Sequence, residues 1–572
     1  MLVSEFQHVL HTNYAPTEAE AQKIRDFCVA PEVEVAKLET EVMRLETALA
    51  AARRRQDEIN GVVAAHRALL SPIRRLSIEL LQNVFAFCLA EFPAMHASEA
   101  PLLLGCVCKG WREIVYSTAE LWSAAHAVLP SAVGSQNQRS LRLEALNKWL
   151  SRSGNHPLHI SLYDMTSETD GSDVLNLIIP ISPRWERIVL TVTPTWFQSL
   201  ECSFSGISAL PLLRFFELRD RAVDGNEFSS EIFIPSFHPF ETPDYNPLHL
   251  LSLCSNVQRL LVHCSRSRRA LLPQSSIGPS LREFDVCCPE IFDSSLGRFL
   301  SFLVPCQNLR RLRICASFEI SASPSLSVPL ITLPALECLI ADMASSSPEA
   351  QAHNLTFLNH LVAPYLRHLE LKSIYDVKEL APTLHNFLTR SSCSLRTLSL
   401  NLTDYTHNQG MQPLLLALES ANDVKELTIH RWDYNEAQDG EPDRFLLGLA
   451  YTNGSINYCP KMTHFTLSTQ CDNPDLGSLL IFLQSRLDPP PGCVALQVAD
   501  LTKIFLGTHF HPTHVFPPVD LHTESFLDSV SKLQGQGLSV LLPQQPVGAF
   551  PPTVLTPWTG VPRRRSNSLH SW

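Results

Sequence analysis

Sixteen cysteines and a short run of histidines are the residues of this chain whose types could do chemistry. Thiolates and imidazoles hold zinc when about four of them converge, usually as C-x2-4-C pairs, and paired thiols can serve redox exchange. Cys106 and Cys108 have one residue between them, Cys287 and Cys288 are adjacent, and no CxxC occurs. His509, His511 and His514 lie close together with no acidic or cysteine residue nearby, so a metal-dependent hydrolase built on them lacks a ligand set. The spacing predicts no metal site and no cofactor, with the cysteines acting as small hydrophobes. G-x-S-x-G, a Walker loop, H-E-x-x-H and a strand-borne G-x-G-x-x-G are also missing, so no catalytic residue is assigned and the chain reads as a non-enzyme.

The elements that carry these residues belong to a long chain. At 572 residues it exceeds a single ordinary core, and 45% apolar content predicts a folded protein of several domains or one extended repeat array. A formal charge of -12 gives no electrostatic footprint for nucleic acid, which leaves a protein as the default partner. The first ten residues carry Glu5 and no basic n-region, so the expectation is no secretory leader and reduced thiols inside a cell. No apolar run is long enough for a membrane span, and the triplets at Asn354, Asn401 and Asn453 are then not glycosylation sites.

Val35, Leu38, Val42, Leu45 and Leu49 follow the 3,4 spacing of a coiled-coil seam, with Glu39, Glu41, Glu46, Arg53 and Arg55 on the outer face. That stripe predicts a helix over 32–70, after an N-terminal segment 1–31; it could pair two copies or pack on its own protein. Ser71-Pro72 reads as a stop and restart before a helix carrying Leu76, Leu80, Val84 and Cys88. Leu103, Val107, Trp111 and Ile114 or Val115 form the face of a second helix. Ser117-Thr118-Ala119-Glu120 reads as a capping box that starts a third at Leu121-Trp122. Three short helices this apolar imply a partner surface.

The order Leu76-x-x-Glu79-Leu80, Val84-Phe85, Val107-Cys108-Lys109-x-Trp111-Arg112 and Leu121-Trp122 resembles an F-box over 71–130. With the preceding helix, the arrangement resembles fungal F-box proteins that have leucine-rich-repeat-like C-terminal halves. The resemblance implies that the helices lie against a Skp-type adaptor of a cullin-RING ubiquitin ligase. By the same resemblance the contacts come from Leu76, Ser77, Leu80, Leu81, Val84, Phe85, Leu104, Val107, Cys108, Trp111, Leu121 and Trp122. It also implies that the cysteines here are packing residues. Ser77 departs from the family pattern, which has Pro there to preset the first helical turn.

Beyond this region a φ-x-x-φ-x-φ signature, with φ apolar, starts at Trp185, Leu213, Val257, Leu281, Leu309, Leu336, Leu366, Leu395, Val424 and Met462. Most starts are 24 to 30 residues apart, close to a leucine-rich repeat, and helical spacing such as Leu296, Phe299, Leu300, Leu303 or Val377, Leu380, Leu384, Phe387 fills the gaps. Strand then helix at a fixed period predicts a parallel sheet inside and helices outside. The residues between the apolar strand positions then share the concave face: Arg311, Arg313 and Cys315; His368, Glu370 and Lys372; Thr397, Ser399 and Asn401; Glu426, Thr428 and His430; His464, Thr466 and Ser468. They form a target-binding ladder or an ordinary solvated face.

The fold class expected is α/β: a coiled-coil helix, a three-helix F-box, and an irregular leucine-rich-repeat-like solenoid over 131–545. The Pro-rich end 546–572, with Arg563-Arg564-Arg565, reads as a disordered tail. The function expected is a non-catalytic substrate receptor for an unknown protein target, in the cytoplasm or nucleus, with no nucleic acid or membrane partner. The alternative is an interaction scaffold not coupled to ubiquitination.

Overall fold

In the computed structural model the described residues are 4–129, 136–164, 171–193, 196, 199–200, 203, 209–220, 253–263, 277–287, 296–315, 330–342, 355–374, 376–404, 411–433, 443–451, 457–469, 475–504 and 521–542. The histidines at 509–514 and the tail 546–572 lie outside them, as do Asn354 and Asn453. The chain divides into two compact units, Met1–Val84 and Phe85–Trp572. Its architecture is mixed α/β, with a long N-terminal helix and a large parallel sheet.

Helix α1 spans Glu18–Leu69 and therefore begins well before the 32–70 segment expected from the seam. The reason is local. Thr17-Glu18-Ala19-Glu20 has the spacing of a capping box, and the Glu20 carboxylate accepts from the Thr17 N–H at 2.8 Å and the Thr17 hydroxyl at 2.7 Å. Those bonds hold the Glu20 carboxyl below its usual range. The helix continues through Pro31, which lacks the N–H that would reach the Phe27 carbonyl, and through Gly61. It buries no residue, and its ion pairs, such as Arg44–Glu41 at 2.7 Å, are exposed and contribute little.

A 3-10 turn at Pro72–Arg75 realises the stop and restart, and α2 follows at Ile78–Phe87. The second helix expected from the sequence is two: α3, Leu102–Val107, and α4, Lys109–Ser117. Cys108 separates them with an extended backbone, φ -159° and ψ 170°, while its Sγ accepts from the Trp111 N–H at 3.4 Å and so caps α4. No capping box forms at Ser117–Glu120. Ser117 is the last residue of α4, and Ala119–Trp122 is a four-residue 3-10 turn that leads straight into a strand.

Among the described residues, fourteen strands form one sheet, every neighbouring pair parallel: β1 Ala124–Leu129, β2 Leu158–Asp164, β3 Trp185–Val192, β4 Phe215–Asp220, β5 Arg259–His263, β6 Glu283–Cys287, β7 Arg311–Cys315, β9 Cys338–Asp342, β11 His368–Ile374, β12 Thr397–Asp404, β13 Glu426–Asp433, β14 His464–Thr469, β15 Val498–Ile504 and β16 Ser539–Leu541. The two remaining strands, β8 Ile331–Thr332 and β10 Leu361–Val362, pair with each other. Sheet order follows chain order throughout, and no pairing closes it.

All ten signature starts are buried, as are the apolar residues three and five positions later. The backbone repeats with them. The carbonyl of Arg282 accepts from the N–H groups of both Arg310 and Arg311; Arg367 does the same for Arg396 and Thr397, and Arg396 for Lys425 and Glu426. One acceptor per repeat thus fixes two donors of the next, which keeps the strands in register as buried peptide groups must be satisfied. Helices fill the gaps where the spacing placed them: Leu296–Leu303 buries Phe299, Leu300 and Leu303, and Val377–Ser391, capped by Asp376, buries Val377, Leu380, Leu384 and Phe387.

The sheet starts earlier and ends later than the ten starts suggest. Trp122, Ala125 and Ala127 form its first unit, so β1 lies inside the 71–130 segment rather than after it. β2 lacks the apolar first position of the signature, since the exposed Asn155 stands three residues before Leu158, and Leu496, Ala499 and Leu501 carry a further unit at β15.

Candidate protein-binding surfaces

Ser77 stands directly before α2, and its Oγ accepts from the Leu80 N–H at 3.4 Å. That is the N-cap position, where a short hydroxyl is favoured over Pro, whose preferred place is one residue later. The departure from the family pattern thus has a local physical role. Ser77→Ala should lower stability by about 0.5 kcal/mol and Ser77→Asp should retain it; a denaturant titration of the pair checks this, and equal midpoints for both would contradict the cap.

The twelve residues that the resemblance places at an adaptor divide into two groups. Leu76, Ser77, Leu80, Val84, Val107 and Cys108 are exposed, with Leu80 at 52%, Val84 at 40% and Val107 at 58%. Leu81, Phe85, Leu104, Leu121 and Trp122 are interior, and Trp111 is half-buried with its ring 4.8 Å from that of Phe85. The interior five are covered within the chain itself. Trp122 donates from Nε1 to the Val115 carbonyl at 2.9 Å and meets Trp149 edge-on at 4.9 Å, so it anchors the first strand. Phe87 on α2 and Leu103 on α3 are exposed as well.

The cysteines also depart from the packing role. Cys88, Cys106 and Cys108 are exposed. Cys254, Cys306 and Cys459 do pack as hydrophobes, and burial pushes their thiols up to about 12. Among the described residues no group of three or more His, Cys, Asp or Glu could hold a metal ion, and no helix is long and apolar enough to cross a membrane.

On α1 the seam residues Val35, Leu38, Val42, Leu45 and Leu49 are all exposed. With Glu39, Met43 and Glu46 they leave an apolar strip flanked by carboxylates. A stripe of this length with nothing over it is the usual mark of a helical partner.

Eight of the nine ladder residues are aligned in rows by the sheet register. His368, Thr397, Glu426 and His464 are successive partners, as are Glu370, Ser399, Thr428 and Thr466, and Asn401, His430 and Ser468. All nine are half-buried and alternate with the interior leucines and Ile429. Lys372 leaves its row because the register shifts between Leu371 and Ile374, where Ser373 has φ +55°; it pairs instead with Glu370 at 3.2 Å. Burial pushes the His368 imidazole below its usual range, against the nearby Glu370 carboxylate.

Towards β5–β7 the same face is charged and self-paired: Arg259–Glu283 at 2.7 Å, Arg313–Asp285 at 3.7 Å, and His263 3.1 Å from Asp285 without hydrogen-bond alignment. The register also aligns His263, Cys287, Cys315 and Asp342 in one row, of which the sequence placed only Cys315 on this face. Its signal was present, because each lies six positions after a signature start.

No protein-family model matches this chain, and no curated protein matches it.

Proposed function

We propose that the chain is a non-catalytic substrate receptor of a Skp-cullin-F-box ubiquitin ligase, with 71–122 as the F-box and the parallel sheet as the inner layer of a leucine-rich-repeat-like solenoid. The observation that carries the reading is that Leu80, Val84, Phe87, Leu103 and Val107 remain exposed while their neighbours Leu81, Phe85 and Leu104 fill the interior. Short helices divided in this way have one set of apolar residues for the fold and another to spare for a partner. Strands in chain order, each parallel to the next, support the solenoid. The ladder on β11–β13 is the surface for a protein target, and the ligase's other subunits supply the chemistry by proximity. The receptor acts in the cytoplasm or nucleus and needs no cofactor.

Affinity purification of the full chain from cells tests this reading. The adaptor and a cullin are expected among the recovered proteins, with targets among the rest. Recovery of targets without adaptor or cullin would favour the uncoupled scaffold.

The exposed seam of α1 pairs two copies, because among the described residues its a and d positions are left uncovered. Sedimentation should therefore give twice the monomer mass, and the double substitution Leu38→Glu with Leu45→Glu should return the monomer while the melting temperature of the sheet is unchanged. A monomeric wild type at tens of micromolar would rule the seam out.

A further inference from the structure

His263, Cys287, Cys315 and Asp342 are consecutive register partners on β5, β6, β7 and β9. Neighbouring strands lie about 4.8 Å apart and direct partners project to the same face. That spacing falls within the Cα separation of about 4.4–6.8 Å that a disulfide spans. Both thiols are half-buried on the face away from the core, unlike the sealed thiols of Cys254, Cys306 and Cys459.

The row is also polarised. An imidazole stands on the Cys287 side and a carboxylate on the Cys315 side, and Arg313 lies on the same face two residues before Cys315. The Cys315 S–H donates to Cys287 Sγ, and with His263 and Arg313 it outweighs burial and holds the Cys287 thiol at about 7. Cys315 is pushed up by that same hydrogen bond and by burial, so the shared proton stays with it. A thiolate beside a protonated resolving thiol is the arrangement that redox-sensitive pairs require.

We infer that Cys287 and Cys315 are a reversible modification site, oxidised by a hydroperoxide to an interstrand disulfide on the non-core face of the sheet. Cys287 sulfur attacks the terminal peroxide oxygen, forming S–O as O–O breaks; the departing oxygen takes up the proton given up by the Cys287 thiol, leaving water or an alcohol and a sulfenic acid. Cys315 sulfur then attacks the sulfenic sulfur, and the hydroxyl leaves with the Cys315 proton as water. Two electrons pass from the sulfurs to the peroxide oxygens. A dithiol reductant returns both thiols.

The test uses the full chain treated with hydrogen peroxide, blocked with N-ethylmaleimide and digested without reduction. The expected result is a crosslinked peptide joining the Cys287 segment to the Cys315 segment, absent after dithiothreitol, formed faster in native protein than in urea. The crosslink should vanish in Cys287→Ser and persist in Cys288→Ser, which separates it from a bond made by the adjacent cysteine. Recovery of Cys287 and Cys315 as alkylated or singly over-oxidised residues, a crosslink that survives Cys287→Ser, or equal rates in urea would each overturn the inference. Adaptor binding plays no part in the assay.

Discussion

Leu398→Ala will cost about 2–5 kcal/mol of stability, the range of a buried leucine truncated where its neighbours cannot collapse. Leu398 is fully buried and sits between its register partners Leu369 and Leu427, which are buried as well. Ser399, the next residue, projects to the other face, so Ser399→Ala should change stability by only about 0.5 kcal/mol. In the proposed solenoid each strand unit rests on its neighbours, so loss of amide protection should centre on 395–404 and fade towards 366 and 467. Hydrogen exchange reads both amplitude and spread. Uniform loss over the whole sheet, or equal effects of the two substitutions, would show that the unit behaves as one globular core.

Leu80→Asp and Val107→Asp will each abolish recovery of the adaptor while leaving the fold intact. Both side chains are exposed in the free chain, so a carboxylate there stays hydrated and the melting temperature should move little. At an apolar interface the same carboxylate must be desolvated without a partner, which costs several kcal/mol and corresponds to at least a hundredfold loss of affinity. Leu81→Asp is the internal comparison: it is buried and should unfold the helix region rather than act on binding alone. A melt and a pull-down on the same samples separate the two outcomes. Retained recovery in both exposed variants would remove these helices from the interface.

The central strands were legible from residue types because Leu, Ile, Val and Phe at recurring spacing mark a buried strand face without help from tertiary context. The first and last repeats were harder to read for the same reason reversed. Ala125, Ala127 and Ala499 are short, and at β1 the missing volume is made up by Trp122 and Trp149, which is a tertiary fact. At β2 the first position of the signature is the exposed Asn155, so the pattern has no apolar start there. Helix ends were the other loss: the apolar stripe starts only at Val35 although the capping-box spacing at Thr17 lies upstream, and Cys108 interrupts what the apolar spacing made continuous. The residues that the resemblance implies at the adaptor are partly exposed and partly interior, because a match of residue types shows that a position is apolar, not which of two apolar faces it joins. Ser77 could be explained only once α2 had a defined first residue.

The central claim is tested most directly by titrating purified Skp-type adaptor into the purified full chain in a calorimeter, with Leu80→Asp as the paired variant. One adaptor per chain with a dissociation constant of about 1 µM or tighter is expected, and no measurable heat of binding with the variant. Absence of binding by the wild type at adaptor concentrations of about 100 µM, or undiminished binding by Leu80→Asp, would contradict it.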